Sequence, residues 1–146
     1  MTKKVHYEYL PVFERNIFYA NDLDALEAEV YRYYRKGEID YLEVIAMDGD
    51  GALGFAATIA PREDPLRVLA FIMFVKDTSD SGTVAHEATH ICNKIFDYIG
   101  QEGDEVNDEV QAYLVGHVTK TFNEQIRGHK KTSRKLRKGQ YKKNIA

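Results

Sequence analysis

An unbroken apolar run, VLAFIMFV at Val68–Val75, limits the fold of this chain more than any other feature. It has the length of a β-strand and is too short for the roughly 20 residues that a membrane-spanning helix needs. A strand that lacks alternating polar residues has both of its faces covered. The run therefore predicts a central strand at about 67–75, with other parts of the chain packed on both sides of the sheet.

The composition fits one ordinary domain. The chain has 146 residues, of which 44% are hydrophobic, and its single cysteine, Cys92, cannot form an internal disulfide. The first residues include lysines but no apolar stretch of the kind found in a secretory signal, because histidine, glutamate and arginine interrupt it. We therefore predict a cytoplasmic domain over residues 1–125 without a membrane-spanning segment.

Strand-forming sequence precedes the apolar run. Aromatic and β-branched residues predict strands at Asn16–Ala20 and Val5–Leu10. The segments Tyr41–Met47 and Leu53–Ile59 flank DGDG, whose glycine and aspartate residues suit a tight turn, and so predict a hairpin. The sheet is therefore expected to be small and mostly antiparallel.

Three segments show the helical spacing of apolar residues. The first, at about 22–36, follows Asn21 as N-cap, with Asp24 three residues later completing a capping-box-like pair. The second, at about 82–99, follows polar capping residues and is ended by Gly100 in a left-handed conformation. The third covers about 107–125. The predicted fold class is α+β.

The second predicted helix carries HEATH at positions 86–90. Residues four apart lie on one helix face, so His86 and His90 are able to direct ring nitrogens at a single metal ion. Glu87 is rotated by about 100° from His86 and is placed to take a proton from an activated water. This is the division of roles in HExxH hydrolases, with Zn²⁺ as cofactor. Because so short a pattern also arises by chance, its position on a helix after a buried strand is what supports a metal site.

A catalytic zinc site needs a third protein ligand and an open position for water. Asn93 and Phe96 stand where a metzincin has its glycine and its third histidine, which excludes that class. We expect Glu109, 19 positions after His90 and in the first turn of the last helix, because a helix holds a ligand more accurately than a loop does. Its competitors are three nearby carboxylates, Glu102, Glu105 and Asp108.

HEATH followed by a glutamate in NDE on the next helix resembles the gluzincin group of zinc metallopeptidases, over the segment from Thr83 to Phe122. The expected order of N-terminal helix, small sheet, HExxH helix and glutamate-bearing helix is similar to the minimal zincin core. FDYIG followed by NDE and QAYLVG also resembles small HExxH proteins of bacteriophages and prophages. The resemblance implies a zinc metallopeptidase that acts on a peptide or protein, in the host cytoplasm if the chain is phage-encoded.

The chain departs from the gluzincin pattern after the ligand glutamate. Four residues later, where the family has an aspartate that orients the first histidine, this chain has Tyr113. A tyrosine hydroxyl is able to accept an imidazole N–H or to stabilise an oxyanion, and His117, one turn further on, is a second candidate for the oxyanion role. Packing or solvent contact is the alternative for both residues.

The charge of the chain is strongly asymmetric. Residues 126–146 contain nine Lys and Arg residues and no acidic residue, so the other 11 basic and 23 acidic residues give residues 1–125 a net charge of about −12. This segment lacks the apolar residues needed to pack and is predicted to be a flexible tail. It suits nonspecific contact with nucleic-acid phosphates, or docking on a partner or on the acidic body. A noncatalytic zinc-binding accessory or interaction protein is therefore the alternative function.

Overall fold

A computed structural model describes residues 3–39, 53–76, 80–100 and 108–128. These ranges form an α+β fold with three helices and one four-stranded sheet, in agreement with the predicted fold class. The elements in chain order are β1 (Val5–Leu10), β2 (Arg15–Ala20), α1 (Leu23–Tyr33), β3 (Gly54–Ile59), β4 (Ala70–Val75), α2 (Ser81–Ile99) and α3 (Asp108–Gln125).

The sheet is mixed. Its strand order is β1-β2-β4-β3, and both outer pairs, β1 with β2 and β3 with β4, are antiparallel, which fits the expectation of a mostly antiparallel sheet. The central pair of β2 and β4 is parallel, with Asn16 opposite Ala70. A parallel pair needs a crossover that returns the chain to the same end of the sheet, and α1 lies within this crossover. The predicted strands that fall within the described residues were thus found, but a hydrophobic pattern alone does not encode the direction of the central pair.

The apolar run forms the central strand predicted for it. β4 lies between β2 and β3, and all six of its residues are buried. Alternate side chains enter two separate cores. On one face Ile72 and Phe74 belong to the core that contains Leu26 and Val30 of α1. On the other face Phe71, Met73 and Val75 join residues of α2 and α3.

The predicted hairpin is described only in part. Its second strand is present as β3, which pairs with β4. The first strand, at 41–47, and the DGDG turn lie outside the described residues. An isolated antiparallel bridge joins Ile39 to Pro61, just beyond the end of β3.

The first helix is capped by a different residue from the one predicted. Asp22, and not Asn21, is the N-cap, and its side chain accepts a hydrogen bond from the Ala25 backbone N–H at 2.9 Å. The backbone N–H of Asn21 instead donates to the Lys4 carbonyl, so this residue still belongs to the β1–β2 pairing. The helix also ends at Tyr33, short of residue 36, because Tyr34 is extended with φ −131° and ψ 145°.

Both C-terminal helices are found within one residue of their predicted starts. Asp80 caps α2 by accepting hydrogen bonds from the backbone N–H groups of Gly82 and Thr83, and Gly100 ends it in the left-handed conformation with φ 70°, as predicted. α3 packs against α2 on one face of the sheet. None of the helices in the described ranges has both the length and the apolar character of a membrane span.

The packed body continues beyond α3. Ile126 is buried, and the backbone N–H groups of Ile126 and Arg127 donate to the Phe122 carbonyl. The Arg127 guanidinium also donates to the Ser81 hydroxyl at the start of α2, at 3.3 Å. Residues 129–146, which form most of the predicted tail, lie outside the described ranges.

Candidate metal centre

His86 and His90 lie one turn apart on the exposed face of α2. Their Nε2 atoms are 3.1 Å apart. Zinc–nitrogen bonds of about 2.0–2.1 Å at a tetrahedral angle would separate two imidazole nitrogens by about 3.3 Å, so the observed convergence fits binding of one ion. The same separation also suits a hydrogen bond between neutral rings, in which one Nε2 donates and the other accepts.

Glu87 is turned from the exposed face of α2 towards the sheet. Its side chain is only 8% exposed, whereas that of His86 is 67% exposed. One carboxylate oxygen, Oε1, nevertheless lies 3.9 Å from Nε2 of His86. The helix therefore holds a buried carboxylate directly beside an exposed imidazole.

The position of Glu87 depends on a close approach of α2 to β3. A Cβ atom added at Gly54 would lie 3.0 Å from Cγ of Glu87 and 2.8 Å from the carbonyl oxygen of Phe74. Both contacts are too short for an unstrained side chain. Position 54 therefore requires glycine, because only a residue without a side chain lets the helix approach the strand this closely.

A cleft of about 450 Å³ opens between the start of α2 and β3. His86, Glu87 and Asp80 line it from the helix, and Gly54 lines it from the strand. One histidine of the pair and the carboxylate beside it thus border the same solvent-accessible space. A small ligand in this cleft would contact both groups.

The first turn of α3 lies at the other end of the histidine face. Asn93, three residues after His90 and on the same side of α2, accepts a hydrogen bond from Nε2 of Gln111 at 3.0 Å. Glu109 begins α3 together with Asp108, close in sequence to this contact. The side chain of Glu109, the predicted third ligand, lies outside the described part of the structure. The same holds for the side chain of Asp108 and for all of Glu102 and Glu105.

The structure pairs His117 with a residue on β1, and it leaves Tyr113 largely exposed. The Tyr113 side chain is 76% exposed. Nε2 of His117 lies 2.9 Å and 3.1 Å from the two carboxylate oxygens of Glu8 on β1. Since β1 and β3 are opposite edges of a four-stranded sheet, three strand spacings of about 4.8 Å separate this contact from the edge that borders the cleft.

Cys92 is not part of the histidine face. It is fully buried in the core between α2, α3 and the sheet. Burial raises the pKa of its thiol to about 12, so the thiol stays protonated near neutral pH. A protonated, buried thiol is neither a metal ligand nor a nucleophile.

Two residues of functional interest were not found from the sequence. Gly54 carried a usable signal, because a glycine within a strand pattern indicates a close approach of backbone or ligand. Glu8 carried none, since a polar residue that alternates with apolar ones on a strand ordinarily faces solvent. Its partner, His117, is 109 positions away, and such a distant contact follows only from the complete fold.

Among the residues that the structure describes, no group of three or more His, Cys, Asp and Glu side chains is arranged to hold a metal ion. The histidine pair, with Glu87 beside it, is therefore an incomplete centre within those ranges. No family model, curated protein or solved structure matches the chain. A function for the chain consequently rests on the chemistry of this site.

Proposed function

We propose that the chain is a zinc-dependent hydrolase of peptide or amide bonds, with His86, His90 and Glu109 as metal ligands and Glu87 as general base. One observation carries this proposal. The two Nε2 atoms of the histidines converge to 3.1 Å, and the Glu87 carboxylate lies 3.9 Å from one of them on the same helix.

Each residue of the helix has a separate role. His86 and His90, as neutral imidazoles, would hold zinc through the lone pairs of Nε2. Bound zinc supplies a water with a pKa near neutrality and polarises the scissile carbonyl. Glu87 takes the proton from the water at its carboxylate and passes it to the leaving amine. The Glu87 side chain is buried close to Gly54, which limits the space in which its carboxylate can move.

Asp108 is the main alternative to Glu109 as the third metal ligand, and an experiment has to distinguish the two. Residues three apart on a helix are neighbours on its surface, whereas residues two apart are not. By this spacing position 108 lies on the same side of α3 as Gln111, which contacts the end of the histidine face. Glu109 has the longer side chain, and it is the residue that the gluzincin resemblance implies.

Metal binding is tested by titrating the metal-free protein with zinc at pH 7.5. The wild type should bind one equivalent. His86→Ala and His90→Ala should each weaken binding by more than the roughly 10–100-fold that loss of a supporting hydrogen-bond partner costs. The matched control is His6→Ala, a histidine on the opposite edge of the sheet, which should bind zinc as the wild type does. Binding of less than half an equivalent of zinc by the wild type, or wild-type affinity in both α2 variants, would contradict the site.

The third ligand is identified in the same titration. Glu109→Gln and Asp108→Asn each remove one carboxylate charge and keep the size of the side chain. Only the variant that loses its ligand should bind zinc weakly, because the other residue does not contribute an oxygen to the ion. Wild-type affinity in both variants would rule out a carboxylate from the first turn of α3.

Catalysis is tested separately, with the zinc-loaded wild type and Glu87→Gln compared on a mixed peptide library. The amide cannot accept the proton, so kcat/KM should fall by about 10²–10⁴-fold while zinc occupancy is unchanged. Equal cleavage by both proteins would remove Glu87 as the base. If the fully loaded wild type cleaves nothing, the hydrolase proposal fails and the noncatalytic one stands.

That second candidate is a noncatalytic zinc-binding accessory or interaction protein, such as one encoded by a phage or prophage, in which the basic tail contacts nucleic acid or a partner. A specific observation favours it. Of the two residues expected to stabilise an oxyanion, His117 is paired with Glu8 at the other edge of the sheet, and Tyr113 is largely exposed. In this case zinc serves the structure, and its removal by a chelator should lower Tm without any activity to lose.

A further inference from the structure

A second polar cluster lies at the opposite edge of the sheet from the histidine pair. It connects β1, β2 and α3 through Glu8, Tyr19 and His117. Nε2 of His117 lies 2.9 Å and 3.1 Å from the two oxygens of the Glu8 carboxylate. The Tyr19 hydroxyl donates to Oε1 of the same carboxylate at 2.9 Å. One carboxylate on an edge strand therefore links a helix to the sheet.

The surroundings favour the charged forms of both titratable partners. Tyr19 is buried, and the side chains of Glu8 and His117 are 20% and 47% exposed. Burial alone would raise the pKa of Glu8, but hydrogen bonds from His117 and Tyr19 outweigh it and hold this pKa below its ordinary value. The hydrogen bond to Glu8 raises the pKa of His117 against the opposing effect of burial.

The other titratable groups around this pair do not replace either partner. His6, two residues from Glu8 on β1, has its pKa lowered by burial and by Lys3, so it is largely neutral at neutral pH. On α3, Lys120 and Glu124 act on His117 in opposite directions. From α2, the Cys92 thiol beside Tyr19 stays protonated. Above neutral pH, His117 is thus the partner of the pair whose charge changes, because its pKa is raised, whereas His6 gains its charge only at lower pH.

The pair acts together with other contacts that hold α3 on the sheet, which include a side-chain hydrogen bond between Thr121 of α3 and Tyr19 of β2. Leu114, Val118 and Phe122 pack in the core shared with α2, and apolar contacts of this kind are not directional. The backbone N–H of Lys3 donates to the Gln125 carbonyl at 3.1 Å, which fixes the last turn. Between that turn and the first turn of α3, the bond from His117 to Glu8 joins the helix to β1.

We propose that Glu8 and His117 form a pH-dependent clasp that positions α3 on the sheet, and with it the first turn that carries Asp108 and Glu109. Both are positioning residues, with Tyr19 as the donor that orients the carboxylate. The proposed effect on the position of α3 requires only the ion pair between Glu8 and His117. The effect on the metal centre rests on the proposed function, because it requires a ligand from that first turn.

The clasp weakens in both pH directions. Because the pKa of His117 is raised in the folded state, the pair's contribution to the free energy of unfolding through His117 is fully present below the ordinary pKa of 6.5. It is lost as pH rises through the pKa of the folded state. Because the pKa of Glu8 is lowered in the folded state, its contribution to the free energy of unfolding is fully present above the ordinary pKa of 4.5. It is lost as pH falls through the pKa of the folded state. The clasp is therefore complete between pH 4.5 and 6.5 and weaker on either side.

The test measures Tm of the zinc-free protein at pH 6 and pH 9 in the wild type, His117→Gln and His117→Lys. At pH 6 the glutamine variant should melt about 2–4 °C below the wild type, and at pH 9 the difference should fall below about 1 °C. The lysine variant keeps its charge at pH 9 and should there melt above the wild type. His6→Gln is the control on the same strand: because burial lowers the pKa of His6, its removal should raise Tm more at pH 6 than at pH 9, which is opposite in sign to the change expected for His117→Gln.

Two outcomes would overturn the clasp. A glutamine variant that is destabilised equally at both pH values would make His117 a packing residue. A lysine variant that melts with the glutamine variant at pH 9 would show that charge at this position does not matter. Hydrogen exchange of β1 and α3 in the same samples would locate the change, and protection unchanged in both elements would also contradict the proposal.

The connection to the metal centre is measured as the ratio of zinc affinities of the wild type and His117→Gln at pH 6 and pH 8. Ligand protonation is common to both proteins and cancels in the ratio. The variant should bind zinc about 10-fold more weakly at pH 6, with a smaller difference at pH 8. If both bind equally while their Tm values differ as expected, the connection is wrong and the clasp stands. If neither binds zinc, the proposed function fails, and the Tm series still decides the clasp.

Discussion

The position of the Glu87 side chain depends on the absence of a side chain at Gly54. A Cβ at position 54 would lie 3.0 Å from Cγ of Glu87, so the carboxylate keeps its place only because the strand carries no side chain there. The spacing of HEATH was sufficient to predict that His86 and His90 converge, since this depends on helix geometry alone. The contact with Gly54 was not predictable in the same way, because it depends on how closely a strand and a helix pack.

Gly54→Ala should therefore destabilise the protein by about 1–3 kcal/mol, the usual cost of adding atoms to a packed site. Gly116→Ala is the matched control, because a Cβ there meets nothing within 4 Å and alanine favours a helix by about 0.5–1 kcal/mol over glycine. Denaturant unfolding of both variants measures the two changes. Opposite signs are expected, and destabilisation of similar size in both would contradict this account of Gly54.

Cys92 provides a chemical probe of the same core. Its thiol is buried and its pKa is raised to about 12, so it should react with a thiol reagent at pH 8 only when the core opens. The labelling rate should thus follow the unfolding equilibrium as denaturant is added. Rapid labelling of the native protein at the rate of a free thiol would show that α3 and the sheet do not cover this residue.

At the scale of elements, the starts of the helices depend on aspartate caps that sequence rules identified only in part. The rules placed the first cap one residue too early, because Asn21 and Asp22 are both good caps and only the strand pairing of Asn21 distinguishes them. The limits of α2 and α3 were predicted well, since their flanking residues allow few alternatives. The parallel pairing of β2 with β4 was missed, because an apolar sequence does not indicate whether a strand pairs in the parallel or the antiparallel direction.

Asp80→Ala should cost about 1 kcal/mol of unfolding free energy, because it leaves the first N–H groups of α2 without their acceptor. Asp22→Ala makes the corresponding change at α1 and should cost a similar amount. The two differ in their effect on the metal site, since Asp80 lines the cleft and precedes His86 on the same helix. Only the Asp80 variant should also weaken zinc binding, and an equal loss in both variants would indicate a general effect of instability.

At the scale of the whole molecule, the apolar strand determined the layers. Because both faces of β4 had to be covered, α1 packs on one side and α2 and α3 pack on the other. The roles predicted for Tyr113 and His117 depended on where α3 sits relative to the sheet, which no local pattern contains. His117 is instead paired at the β1 edge, at a distance from the cleft that only the strand order reveals.

The charge asymmetry predicts a salt-dependent interaction of the tail with nucleic acid. A chain truncated after Gly128 keeps the buried Ile126 and removes eight of the nine basic residues. The full chain should bind duplex DNA with an affinity that falls steeply with salt, with a slope of about −0.9 for each phosphate contacted, and the truncated chain should not bind. Equal binding by both would assign the contact to the body of the protein, and a slope near zero would contradict an electrostatic interaction.

The contact between Arg127 and Ser81 determines where the tail begins. Ser81 is the first residue of α2 and follows Asp80, which lines the cleft beside His86 and Glu87. The basic segment is thus tethered at the mouth of the candidate metal site. A molecule bound by the basic residues beyond Gly128 would be attached close to this opening, and such attachment corresponds to an effective concentration in about the millimolar range. Weak recognition by the cleft itself would then be enough for a tethered substrate.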